Sequence, residues 1–214
     1  MTAPKMIFID FDRTMFNTWQ FADELTLIFR KYGEVEPHVT SLYQEGENYN
    51  IIKHLDLVRT QAMKKRVKQQ LRVFFDNLGN FIFDDALKFI QLLSADNDND
   101  LALLSKGERN FQSKKIYLAL GHQTRLFKNI LIIENAKATE IKRFQQIGSS
   151  RKIFFIDDKT AELEAANKVA PGITTIHIDR GDLPDRGLSK NYRPDFIVTD
   201  LLEAFYIIKS TCDS

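Results

Sequence analysis

The segment Ile7-Phe-Ile-Asp10-Phe-Asp12-Arg-Thr14 sets two carboxylates two places apart, directly after an apolar run. Three more apolar runs close on polar chemistry: Leu104-Ser105-Lys106-Gly107, Glu134-Asn135-Ala136-Lys137 and Ile156-Asp157-Asp158-Lys159. If these ends converge, up to four aspartates, a hydroxyl and at least one lysine surround one crevice. Carboxylates crowded in this way repel one another unless a cation neutralises them. Hard oxygen donors suit Mg²⁺, which keeps several waters and shares its shell with a substrate phosphate. A hydroxyl and a lysine complement the remaining phosphate oxygens. The chemistry indicated is phosphoryl transfer. Taken singly, each residue has a plainer reading. A strand-end Asp or Ser commonly caps a helix or closes a turn, and Asp157-Asp158 before a helix complements its dipole.

Whether the ends converge depends on the elements that carry them. Met6–Ile9 reads as a buried strand. Across residues 17–80, apolar side chains recur at helical spacing: Phe21, Leu25, Ile28 and Phe29, then Ile51, Ile52, Leu55 and Leu57, then Val67, Leu71, Phe74 and Phe75. Beyond them a helix is expected over Asp84–Leu93, a polar turn over Ala95–Asp100 and a strand over Leu101–Leu104. Helices over Asn110–Leu120, Ala138–Ile147 and Lys159–Val169 alternate with strands over Asn129–Ile133, Lys152–Ile156 and Ile173–Ile178. Phe196–Val198 is a last strand and Leu201–Ile208 a closing helix. Such alternation means crossover units and a parallel sheet. The expected class is α/β, with residues 1–16 and 81–214 forming the core and 17–80 a helical insertion after strand one. In open parallel sheets, ligands bind outside the carboxyl ends of the strands. All four polar segments stand there.

Composition bounds the partners. The chain has 214 residues, 43% hydrophobic and 28% charged, with a formal net charge of +1. That is ordinary for a globular protein, and no global field points to nucleic acid or an anionic membrane. The basic run Met63-Lys-Lys-Arg-Val-Lys68 reads as a solvated helix face. The single cysteine, Cys212, allows no intrachain disulfide. With no secretory leader and no apolar run near membrane-spanning length, the expected location is cytoplasmic.

The set Asp10-x-Asp12-x-Thr14, Ser105, Lys137 and Asp157-Asp158 resembles the four motifs of haloacid dehalogenase-like (HAD) hydrolases. Order and strand-end placement agree, as do the 20 residues from Lys137 to Asp157. The resemblance spans the chain, because the insertion resembles that superfamily's helical cap. It implies a Rossmann-like core and a Mg²⁺-dependent phosphatase, a phosphoric monoester hydrolase acting on a small phosphorylated metabolite through an aspartyl-phosphate. By matched position, Asp10 is the nucleophile and Asp12 the general acid and base. Mg²⁺ is held by Asp10, Asp158 and the main-chain carbonyl of Asp12, with help from Asp157. Ser105 and the backbone that follows, with Lys106 and Lys137, bind the phosphoryl group. Thr14 braces the loop by hydrogen bonding. An acid at position 12 favours phosphate esters over carbon–halogen bonds, because dehalogenase members lack it.

Some positions depart from the commonest pattern. Arg13 stands where Gly is frequent, Asn17 where an acid is often found, and Glu162 replaces the usual Asp or Asn of the fourth motif. Lys142 competes with Lys137 for the third motif. His38, His54, His122 and His177 show no metal-ligand spacing and are read as non-catalytic. The polar turn Tyr43–Tyr49 is the candidate specificity loop. A phosphomutase or phosphotransferase using the same intermediate stays open, as does a non-catalytic binding domain. A response-regulator receiver is disfavoured, since it needs an Asp after the third strand, where Ile130-Leu-Ile-Ile-Glu134-Asn135 has none.

Overall fold

The computed structural model describes residues 4–31, 51–56, 58–147, 151–181, 189 and 191–211. The Tyr43–Tyr49 turn lies outside them. Six parallel strands form one sheet in the order β3-β2-β1-β4-β5-β6. They are β1 Lys5–Ile9, β2 Asn99–Lys106, β3 Asn129–Ile133, β4 Lys152–Asp157, β5 Thr174–Ile178 and β6 Phe196–Val198. The helices are α1 Thr18–Lys31, α2 Ile51–Asp56, α3 Gln61–Asp76, α4 Asp84–Ser94, α5 Arg109–Leu120, α6 Lys137–Ile147, α7 Thr160–Val169 and α8 Leu201–Ser210. Among the described residues, no helix is long and apolar enough to cross a membrane.

Strand β1 is buried along its whole length, because side chains alternate between two covered faces. Ile7 and Ile9 face a core shared with α1, α3, α4 and α8, whereas Met6 and Phe8 face a second core under α6 and α7. β1 lies between β2 and β4 with Ile9 opposite Leu103 and Ile156, so the carboxyl ends of all three lie on the same edge of the sheet. The reversal of strand order on either side of β1 is a topological switch point, where such sheets open a crevice.

Among the described residues, every helix or strand between β1 and β2 is a helix. The chain leaves β1 and returns through two neighbouring segments. Asn17 N donates to Phe81 O at 2.7 Å and Phe83 N to Met15 O at 3.0 Å. Phe16 sits between them, fully buried, with ring centroids 5.1 Å from Phe11, 5.4 Å from Phe21 and 5.7 Å from Phe81. Through these rings the apolar faces of α1 and α3 join the same core as Ile7 and Ile9.

Two expectations need correction. β2 starts at Asn99 rather than after a turn reaching Asp100, because Lys5 and Met6 pair with Asn99 and Asp100. Its other end includes Ser105 and Lys106, which pair with Ile132 and Ile133, so both lie inside the strand.

Phe16 joins the sheet core to the inserted helices. Phe16→Ala is expected to cost about 3–5 kcal/mol, the usual range for a fully buried aromatic. Urea unfolding measures it, and a loss below about 1 kcal/mol would contradict this role for the ring.

Candidate functional site

Asp10 follows β1 and continues its pairing, with its backbone N donating to Ile156 O at 3.0 Å. Asp157 closes β4 on the neighbouring strand and Asp158 follows it. All three are buried, and one carboxylate oxygen from each lies within 4.8 Å of the others. Lys137 opens α6. Its buried ammonium donates to Asp10 Oδ1 at 2.5 Å and to Asp157 Oδ2 at 2.6 Å. The other Asp157 oxygen accepts from Lys159 N at 2.8 Å. Arg13 Nη2 stands 2.7 Å from Asp158 Oδ2. The pair does not meet hydrogen-bond geometry, so among the described residues this buried oxygen has no hydrogen-bond partner.

Burial and mutual repulsion dominate the electrostatics. Burial pushes Asp10 up to about 6, with Lys137 opposing and Asp157 and Asp12 adding to the rise. Burial, then Asp157 and Asp10, holds Asp158 well above the ordinary carboxylate range, against the pull of Arg13. Burial alone would lower Lys137, but the two aspartates it bridges raise it, so the ammonium keeps its charge. Three close buried carboxylates, one with an oxygen that has no hydrogen-bond partner among the described residues, fit a hard divalent cation.

Asp12 turns to other partners. Its Oδ1 accepts from Lys115 Nζ at 2.6 Å and Thr18 Oγ1 at 2.7 Å, and its Oδ2 from Gln112 Nε2 at 2.5 Å. Burial would raise this carboxyl, yet Lys115 and these hydrogen bonds bring it below its ordinary value. Gln112 Nε2 also donates to Ser105 Oγ at 2.7 Å. Asp12 only accepts when ionised, which fixes the Gln112 amide orientation and leaves the Ser105 proton free for another acceptor. Sequence reasoning missed Thr18, Gln112 and Lys115. The available signal was phase: on α5, Gln112 and Lys115 share a helical face with Ile116 and Ala119, and all four are buried.

The loop after Asp12 shows why Gly is frequent at position 13, where this chain has Arg. Arg13 has φ of 63°, where Gly is favoured, and its N donates to Phe16 O at 2.7 Å. The expected bracing by Thr14 is not seen. The Thr14 hydroxyl is buried without a hydrogen-bond partner among the described residues, and the Thr14 carbonyl accepts from Arg180 Nη2 at 2.7 Å. Asn17 caps α1, its Oδ1 accepting from Gln20 N at 3.0 Å. His177 Nε2 lies 3.1 Å from the Asp158 carbonyl, an acceptor, so His177 donates and braces that turn.

Not every expected residue joins the cluster. The half-exposed Lys106 has its ammonium 4.0 Å from Glu162 Oε1, and both pair there rather than with the aspartates. β2 still runs through Lys106, so its side chain follows the strand alternation away from buried Ser105. Lys142 is exposed on α6, and Lys137 occupies the bridging position.

No family model and no curated protein matches the chain by sequence. Solved structures do match in fold. A protein from Burkholderia xenovorans LB400, assigned as a haloacid dehalogenase-like hydrolase, aligns with TM-score 0.68 and 17% identity over 97% of this chain and 98% of its own. Magnesium-bound YfnB from Bacillus subtilis, assigned as a HAD-hydrolase, gives 0.63 and 16% over 96% and 99%. A Clostridium difficile protein assigned as a phosphatase gives 0.62 and 15% over 97% and 100%. The same fold serves a 2-haloacid dehalogenase from Pseudomonas syringae pv. Tomato DC3000. The chain has the fold of the HAD-like hydrolases.

The raised Asp158 carboxyl sets a sign. Its folded state holds the proton at a pH where the unfolded chain has lost it, so the ionised group destabilises the metal-free protein increasingly as pH rises. Asp158→Asn in excess chelator is therefore expected to raise Tm near neutral pH. The gain should vanish at acid pH, where wild-type Asp158 is itself protonated. A gain independent of pH would contradict this assignment.

Proposed function

We propose that the protein is a Mg²⁺-dependent phosphatase that hydrolyses a small phosphorylated metabolite through an aspartyl-phosphate. The observation that carries this reading is the buried Lys137 ammonium bridging Asp10 and Asp157 beside Asp158. Asp12 stands two residues on, in a separate network. The fold alone serves more than one reaction. A carboxyl at position 12, able to carry a proton, favours a phosphate ester over a carbon–halogen bond.

In the first step, an Asp10 oxygen bonds to phosphorus while the ester P–O bond breaks. Asp12, which must take up a proton when the phosphate ester binds, passes it to the departing oxygen. In the second step, Asp12 takes a proton from water as that water attacks phosphorus. The P–O bond to Asp10 then breaks, restoring the carboxylate and releasing phosphate. The Ser105 hydroxyl donates to a phosphoryl oxygen, and Lys137 offsets charge on nucleophile and phosphate. Asp10 and Asp158, with the Asp12 carbonyl and support from Asp157, would hold Mg²⁺, which supplies positive charge against the phosphoryl oxygens. A cytoplasmic location accords with a single cysteine, and the near-neutral chain has no global charge that would select nucleic acid or a membrane.

Phosphate release from an aryl phosphate should require Mg²⁺ and stop in excess chelator. Rapid quench followed by intact-protein mass spectrometry should show no phosphoenzyme in Asp10→Asn. Asp12→Asn should turn over about 10²–10⁴-fold more slowly and accumulate it. A phosphoenzyme in Asp10→Asn, or full turnover in Asp12→Asn, contradicts the assignment.

A further inference from the structure

The grip on Asp12 is more elaborate than the fold requires. The Lys115 side chain is 3% exposed, and its ammonium reaches Asp12 Oδ1 at 2.6 Å, whereas the Asp12 side chain is 27% exposed. Around that ammonium stand the rings of Phe11, Phe16 and Phe21, with centroids at 5.5, 5.3 and 5.8 Å. An apolar residue at position 115 would suit such a setting, because exchanging a buried ion pair for well-packed apolar side chains is often neutral or stabilising. The pair therefore needs a reason other than stability. With Lys115 and Thr18 on Oδ1 and Gln112 on Oδ2, donors restrain the carboxyl from both sides. Gln112 ties the same carboxyl to the Ser105 hydroxyl.

We propose that Lys115 is a positioning residue for proton transfer to the leaving oxygen, and that the substrate is accordingly the phosphate ester of an aliphatic alcohol. This rests on the phosphatase reading above. As the Asp10 oxygen bonds to phosphorus and the ester P–O bond breaks, an alkoxide must receive the Asp12 proton. Asp12 is then left as a carboxylate facing the Lys115 ammonium. A strongly acidic phenol departs as its anion and needs no proton, so a precisely held acid gives it little advantage. An aliphatic alcohol depends on that orientation. Lys115 touches no reacting atom in this scheme. It acts through Asp12.

The test compares kcat/KM, which reports the step that expels the leaving group, for glycerol phosphate and 2,4-dinitrophenyl phosphate with Mg²⁺. Lys115→Met is expected to lose about 10²-fold or more on the alkyl ester and far less on the aryl ester, and Lys115→Arg to recover part of the alkyl activity. Thr18→Val removes one donor from the same oxygen and should lower the alkyl-to-aryl ratio in the same direction. It answers the question if the methionine variant does not fold. Equal losses on both esters, or an unchanged ratio in Thr18→Val, overturn the inference while leaving the phosphatase reading intact. A wild-type protein that turns over neither ester sinks both.

Discussion

The Lys137 ammonium between Asp10 and Asp157 is the interaction on which the rest of the site depends. Two neighbouring parallel strands end on buried carboxylates, and Asp158 adds a third within 4.8 Å. Without a cation such a cluster would protonate or open to water. Lys137 offsets part of the charge, Arg13 approaches Asp158, and the pair-wise balance still leaves the cluster short of positive charge. That shortfall is what a divalent ion would fill. Lys137 comes from the start of α6, across β2 from β1, so the bridge also locks the spacing of the strand ends.

The fold delivers this arrangement through register and aromatic packing. Ile9 opposite Leu103 and Ile156 brings the carboxyl ends of the three central strands to one edge of the sheet. Asp12 is reached from another direction, by Lys115 and Gln112 on α5 and Thr18 at the start of α1. Phe11, Phe16 and Phe21 surround Lys115 and also join the sheet core to the inserted helices. Asp12 is thus bound to the seating of α1, and Asp10 to the strand ends. Two carboxylates two residues apart acquire opposite electrostatic settings, Asp10 raised and Asp12 lowered.

What was legible in the sequence was whatever an apolar run announces. Strands buried on both faces read as short continuous apolar segments, so Asp10, Asp157 and Asp158 could be placed at strand ends. Lys137 could be placed at the helix that follows β3. The start of β2 was not legible, because Asn99 and Asp100 are polar residues recruited by pairing with β1. The placement of Lys106 was not legible, because the strand extends through it and alternation turns it toward Glu162. Thr14 looked like a loop brace, but only its carbonyl is used, a backbone role that side-chain chemistry does not advertise. Gln112 and Lys115 look like ordinary polar positions on a surface helix. Their burial depends on a carboxylate about a hundred residues away in the chain, at Asp12.

The central claim is that Asp10 accepts a phosphoryl group at a metal-assisted site, and one measurement meets it directly. Beryllium fluoride forms a tetrahedral adduct on a carboxylate that mimics an aspartyl-phosphate. A crystal structure of the protein soaked with Mg²⁺ and beryllium fluoride should show that adduct on Asp10, the metal bound by Asp10 and Asp158, and Ser105 and Lys137 against the fluorides. An adduct on another carboxylate, or none at saturating Mg²⁺ and fluoride, would contradict the account.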